Sequence, residues 1–589
     1  MKTRNRAVIG HLIDTLKFMG QLGIPFRGHR DSGRLEPVSD IKDIDTSTGN
    51  FRAILQLHSM GNSEIAAHLK ESPSNATYLS PDIQNELITL IGEEILSSIS
   101  SEVKDASCFA VIADETTDKS IKSQLSIVVR YLKGDSLTER CIGMINQSNL
   151  KGKAIADTIL SHLKSLNLPL EKMIGQGYDG ASSMSGKEKG VQAIVKESCP
   201  LAVYVHCSAH VLNLVLVKSC AIPEMHSTFD FIGDIASFFK SSSKRNARLT
   251  TAIKRMSDRI SNKWRLQQPC QTRWAEKHSA VLAVSELYDP IRQVLLELSD
   301  LPEEPTESRR KATSLYSVMT SSKFCIALCI LEHVMAHTSI LSQLLQKVDI
   351  DLRTAVDCVN NLQSLMKSCR DVGNNDTYDE IYQKAADMVS PEEISMPRIV
   401  KHQTMRSNVP AESPKNYYLR NLYYPFLDSV ILQLDQRFSG HAEAVMRLSS
   451  LLPANVVTAN FCEVEPAVNL FLPLLQAPLI KVKAQFLLWQ RFCQNHSDVV
   501  VWKRAYKLCQ PDIFPAIKIL LSILATLPVS SATAERSFST LRLIKSDLRT
   551  TMGQARLDGL CLMYIHNDIS ISTGAIVKKF AATSRKVKL

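Results

Sequence analysis

Between residues 107 and 146 the chain sets short apolar, β-branched runs between polar turns: CFAVIADETTD, SQLSIVVRYL and ERCIGMINQS. Runs of this length and composition predict three consecutive antiparallel strands. The period then lengthens. KAIADTILSHLKSLNL has helical spacing, MIGQGYD is a short strand closing on a Gly/Asp turn, GKEKGVQAIVKES is helical again, and AVYVHC is another buried strand. The predicted order is β-β-β-α-β-α-β. From 211 to about 510 helical periodicity takes over, with a polar stretch at 369–415 that reads as a surface loop. Before the strands, residues 1–104 read as short helices joined by GIPFRGHRDSGRLEP. After the helical stretch, PAIKILLSILATLPVSSATAERSFSTLRLIKSDLRTTMGQARLDGLCLMYIHND reads as two or three apolar helices. The expected class is α/β plus all-α. Its divisions are a mainly helical adaptor segment (1–104), the first part of an α/β core (105–212), a helical insertion (213–510), closing helices (511–570) and a basic tail (571–589).

A chain of 589 residues is too long for one core. Its 44% hydrophobic and 22% charged residues are those of a folded, globular protein. The 14 cysteines show no C-x-x-C pair and no regular spacing, which argues against a disulfide framework or zinc ribbon and for reduced thiols. His11, Asp14 and Lys17 interrupt the first apolar stretch, so no signal peptide is expected. The uncharged run 519–534 is short of the ~20 residues of a bilayer span, and ALCILEHVMA carries Glu332 and His333, so no membrane partner is expected.

In the predicted layout the first strand is central, and the strand after the first helix joins it in parallel through a right-handed crossover. The C-terminal ends of these two strands become neighbours, which brings Asp114 (VIADETTD) and Asp179 (GQGYDGASSM) to one edge of the sheet. Two converging acids point to a hard divalent cation, which takes oxygen ligands and leaves positions open for phosphate. Glu535 is the candidate third acid. It follows a serine-rich N-cap in SSATAERSFSTLRLI, on the helix face opposite the expected core residues Phe538, Leu541 and Leu548. Singly, each acid reads more readily as a turn former or a solvated helix residue.

The segments ADETTD, GYDGASSMSG, VHCSAHVLNL and TRW, and above all LATLPVSSATAERSFSTLRLIKSDLRTTM, resemble the hAT superfamily of DNA transposases and proteins derived from them. NRAVIGHLIDTLKFMGQLGIPFRGH and GNFRAILQL resemble its zinc finger MYM-type protein 1 branch. The resemblance covers nearly the whole chain. It implies an RNase H-like catalytic core interrupted by a large helical insertion, with C-terminal dimerisation helices. It also implies a D-D-E triad of Asp114, Asp179 and Glu535 holding Mg²⁺ or Mn²⁺, DNA and a second copy of the chain as partners, and a nuclear location. Two function classes follow: a transposase that cleaves DNA and transfers strands, or a domesticated, non-catalytic regulator on the same scaffold.

Cys207 and His210 form C-x-x-H with His206 and Cys220 nearby, but a complete tetrahedral set is missing and no zinc site is assigned. The resemblance implies a supporting role beside the triad; packing is the other reading. It likewise places Arg273 and Trp274 near the DNA end, where Arg can clamp a phosphate and Trp can stack on an unpaired base. An ordinary buried Trp is the alternative. The formal charge of +10 is concentrated. Residues 240–274 hold ten Lys and Arg, among them Lys244, Arg245, Arg248, Lys254 and Arg255, against the single acid Asp258, and the tail after Ile571 holds five with no acid. Cations at helical spacing beside the Arg-Trp pair suit phosphate tracking, against the default of a solvated face. No Cys/His cluster precedes NRAVIGHL, so the expected DNA binding is weak, salt-dependent and poor in end specificity.

Overall fold

The computed structural model describes the chain except for residues 1, 29–30, 74–75, 256–265, 269–273, 372–374, 390–393, 397–410, 439–446 and 584–589. It is mixed α/β and divides into two compact units. The first comprises Met1–Cys207, Val348–Leu352 and Ala442–Leu589; the second comprises Ser208–Lys347 and Arg353–His441.

The first unit contains a five-stranded sheet: β1 (Phe109–Thr117), β2 (Ser123–Lys133), β3 (Ser136–Asn146), β4 (Met173–Tyr178) and β5 (Val203–His206), in the order β3-β2-β1-β4-β5. β1 pairs antiparallel with β2 and parallel with β4, so the first strand is central, as the pattern predicts. Alternation along β1 sends Phe109, Val111 and Ala113 into the main core and Ile112 to the opposite face, where it meets Val128, Cys141 and Ala534. The main core is closed by helix Pro81–Asp105. Ser80 accepts the Ile83 amide at its start, Pro81 fills its first turn, and Leu87, Ile88, Ile91, Ile95, Ile99 and Val103 form its buried stripe.

β4 reads M-I-G-Q-G-Y because its glycines share one face. A Cβ on Gly175 would lie 2.9 Å from Pro528 Cδ, and one on Gly177 would lie 2.8 Å from Pro528 Cβ. The Leu527–Pro528 segment therefore sits directly on the strand backbone, and helix Ala532–Ile544 starts just beyond it. Two glycines at i and i+2 thus bring a segment from the far end of the chain onto the sheet.

Two buried charge pairs stitch this unit together. Arg130, the lone charge in β2's apolar run, meets Glu139 at 2.5 Å and donates to the carbonyls of Val348, Ile350 and Ala525. Glu139 in turn accepts from the Thr533 hydroxyl. Lys545 pairs with Asp118 at 2.7 Å, with side-chain exposures of 2% and 0%.

The second unit is helical throughout its described residues. Its central helix, Ser322–Leu345, is the one described helix that by itself is long and apolar enough to cross a membrane, and 67% of its apolar window is buried inside the protein. Glu332 on that helix pairs with Lys384 and accepts from Ser285. The expected loop at 369–415 contains a helix, Asp376–Val389, whose buried Tyr378, Ile381, Ala385 and Ala386 fall at helical spacing. Polar neighbours on both sides hide that stripe from a reading by composition.

Candidate functional site

Asp114 lies in β1 opposite Ser126 of β2. Ser126 Oγ is 2.8 Å from the hydroxyl of Ser537, on the helix that carries Glu535. Asp179 follows the last residue of β4, accepts the Ala181 amide at 3.2 Å through its side chain, and receives the Tyr204 hydroxyl on its carbonyl at 3.1 Å. The three acids are electrostatic neighbours. Burial raises the Asp114 pKa first, and the charges of Glu535, Asp179 and Glu115 add to it, against one hydrogen bond from the Glu115 amide; the result is a carboxyl pushed up to about 8. Burial and then the charge of Asp179 also raise Glu115. Among the described residues, no three His, Cys, Asp or Glu side chains form a group that could hold a metal ion as they stand. A buried carboxyl faced by the charges of two further carboxylates has the hard-oxygen chemistry of a Mg²⁺ or Mn²⁺ site; their positions do not amount to a closed ligand set.

Glu535 is held from behind. The Ser531 N–H donates to the Cys207 sulfur at 3.2 Å, and Ser531 Oγ lies 3.3 Å from both that sulfur and Glu535 Oε1. Ser531 occupies the N-cap position without capping, because its hydroxyl is turned to these two partners. Phe538 and Leu541 are core residues, as expected. Leu548 is not: it is 97% exposed, since the helix ends at Ile544 and Leu548 lies in the short 3₁₀ turn Asp547–Arg549.

A family model described as "ZMYM1/FAM200, RNase-like domain" matches residues 1–190, and the "hAT family C-terminal dimerisation region" matches residues 475–569. The chain thus matches two domains, one named for ZMYM1/FAM200 and one for the hAT family. It is similar to the "52 kDa repressor of the inhibitor of the protein kinase" of Homo sapiens, 25% identical over 588 residues, covering 96% of this chain and 75% of that protein. The Mus musculus protein of the same name is 24% identical over the same shares.

Cys207 is buried just after β5, its amide bonded to the Tyr178 carbonyl at 2.9 Å, and it belongs to the first unit. His210 lies on helix Ser208–Ser219 of the second unit. Arg273 falls outside the described residues, as do Arg259, Lys263 and Arg265; Trp274 begins helix Trp274–Glu286.

Lys244, Arg245, Arg248, Lys254 and Arg255 all lie on helix Ser243–Arg255. Arg245 stacks over the Phe238 ring at 4.1 Å. Lys244, Arg248 and Arg255 face a cleft of about 470 Å³ whose other wall includes Glu297, Glu303 and Glu304. Local acids therefore offset part of the basic cluster. Sequence reasoning missed them because ELSDLPEEP lies some fifty residues downstream. It also missed Arg130, Glu139, Ser531 and Lys545, for which a single charge inside an apolar strand is the one available signal, at Arg130.

Proposed function

We propose that this is a hAT transposase-derived nuclear protein whose sheet unit is an RNase H-like core, that it self-associates, and that it binds DNA. The relatives' names as repressors, together with the matched dimerisation region, support a nuclear regulatory setting. The observation that carries the site is the Asp114 carboxyl, buried in β1 and facing the charges of Glu535 and Asp179 with only an amide for help. A cation is the natural counterpart of such a group.

Asp114, Asp179 and Glu535 are the residues that would hold Mg²⁺ or Mn²⁺. Bound there, the cation would supply Lewis-acid activation of water or a DNA 3′-hydroxyl for attack on a phosphodiester. The protein's own part is positional. Gly175 and Gly177 admit the Leu527–Pro528 segment, and Cys207 and Ser531 steady Glu535. The basic helix Ser243–Arg255, with Arg273 and Trp274, would follow the DNA backbone and end.

A pre-cleaved transposon end should be joined to plasmid DNA in the presence of Mn²⁺, and Asp179→Asn should abolish joining. Joining that persists in Asp179→Asn overturns the triad. A second reading, a non-catalytic regulator on the same scaffold, is favoured by the repressor relatives and by the open arrangement of the three acids. It predicts DNA binding and self-association with no joining in the wild type.

A further inference from the structure

The region matched as a dimerisation region, residues 475–569, is the apolar end of the chain, yet most of its apolar surface is already used. In helix Pro515–Thr526, Leu520, Leu521, Ile523 and Leu524 are fully buried within the first unit. Helix Ala532–Ile544 turns Phe538, Leu541 and Ile544 inward, and helix Gln554–Ile565 does the same with Leu557, Leu560 and Met563. None of these faces is free to meet another molecule.

One helix in the region is different. Leu479–Cys493 buries Val482, Phe486, Trp489 and Cys493 on one side, with the Trp489 indole donating to the Leu451 carbonyl at 2.9 Å. On its other side Ile480, Leu487 and Leu488 are 72%, 51% and 60% exposed, with Ala484 exposed among them and Phe492 at the end. Positions 480, 484, 487 and 488 are one helical stripe. Phe492 extends it: its ring lies 5.8 Å from that of Phe514, whose neighbour Ile513 is also exposed. Lys481, Lys483 and Arg491 border the stripe, which holds no acid. A continuous exposed apolar stripe on a rigid helix, backed by a buried aromatic anchor, has the character of an interaction surface rather than of scattered surface residues.

We propose that the exposed face of helix Leu479–Cys493 is the surface through which two copies of this chain associate. This rests on the self-association reading above, and it assigns that reading to a face. The occupant is argued from the matched region, which is named for dimerisation and whose remaining helices have their apolar sides in the core. A two-fold contact sets this stripe against its own copy, with the cations at the rim.

The test is the oligomeric state of the full chain by sedimentation or light scattering at micromolar concentration. Wild type should be dimeric. Leu487→Glu/Leu488→Glu should weaken the dimer by ~100-fold or more, the loss expected of removing two central anchors. Both positions are exposed, so the double variant should keep the wild-type far-ultraviolet circular dichroism, its melt shifting only by the loss of the partner. Leu543→Glu/Leu548→Glu, exposed apolar residues elsewhere in the same region, should remain dimeric. A dimer that survives the 487/488 double substitution overturns this face while leaving self-association standing. A wild-type chain that stays monomeric, or that assembles only when DNA is added, overturns both.

Discussion

Asp114 and Asp118 stand on the same hairpin, and the protein surrounds their charges in opposite ways. At Asp118 burial favours the proton, but Lys545 at 2.7 Å, the amides of Lys122 and Ser120, and Gln124 outweigh it and hold the carboxyl below its ordinary range. At Asp114 burial has the same sign, the neighbouring charges are negative, and a single amide opposes them. Each of Asp118's oxygens is answered by the protein itself. Asp114 lacks that answer, and the proposed cation site rests on this contrast. The same hairpin thus holds one carboxyl with its counter-charge and one without within four residues.

The comparison breaks most sharply in stability. Asp118→Asn leaves Lys545 buried without its counter-charge and should destabilise the first unit by about 3–5 kcal/mol. At pH 7 the folded state holds Asp114 mostly protonated while the unfolded chain ionises it, so Asp114→Asn removes the cost of keeping that proton and should leave stability unchanged or raised. Urea unfolding at pH 7, followed by a probe in the sheet unit, compares the two; equal losses would erase the distinction.

The two residues should also give opposite pH slopes. Asp114 has a folded pKa near 8, above its ordinary 3.8, so between about pH 4 and 8 the folded state keeps a proton that the unfolded chain releases. Stability then falls as pH rises through that window. Asp118 has a lowered folded pKa, so its contribution is present above its ordinary value and is lost as pH falls through the folded one. Asp114→Asn should flatten the slope between pH 5 and 8 and leave the acid limb intact. Millimolar Mg²⁺ should raise the melting temperature at pH 8 in wild type and not in Asp114→Asn; an equal shift in both would detach the cation from this residue.

A smaller effect tests how the carboxylates are brought together. Gly177→Ala puts a Cβ 2.8 Å from Pro528 and should cost about 1–3 kcal/mol by forcing the Leu527–Pro528 segment off β4. Gly134→Ala, in an open turn at φ 63°, should cost less, since only backbone strain opposes it. A change at Gly177 that leaves joining and stability alone would mean that Glu535 does not depend on this close approach.

Much of this geometry is legible in the sequence, for reasons that differ by residue. The alternating runs of β1 to β3 announce themselves because strand period and burial coincide, and Asp179 is readable as a strand end once the crossover rule orders the strands; Asp114, expected to end its strand, lies inside β1, which pairs with β2 as far as Thr117. The pairing of Asp118 with Lys545 is not readable, since nothing local in DKSIK or LIKSD names a partner over four hundred residues away. Leu548 looks like core because it continues the apolar spacing of a helix that in fact ends at Ile544. The return of Val348–Leu352 to the sheet unit is invisible for a similar reason. Helical periodicity tells which face is buried and says nothing of which body buries it, and the three backbone carbonyls gathered by Arg130 leave no trace in side-chain pattern.

The basic helix gives the mildest and most specific contrast, because its cations, unlike the triad, have opposing charges close at hand. Lys244, Arg248 and Arg255 share a cleft with Glu297, Glu303 and Glu304. If DNA phosphates compete with these acids for the cations, neutralising the acids should help binding. Glu303→Gln/Glu304→Gln is expected to tighten DNA binding about two- to fivefold at low salt, the scale of about 0.5–1 kcal/mol for exposed charge pairs. Lys244→Ala/Arg248→Ala should weaken it and reduce the slope of log affinity against log salt by about 2, one for each lost phosphate contact. Fluorescence anisotropy with a duplex across a salt series reads both. If the glutamine variant binds no better and the alanine variant keeps its slope, the charges of this helix serve only the cleft.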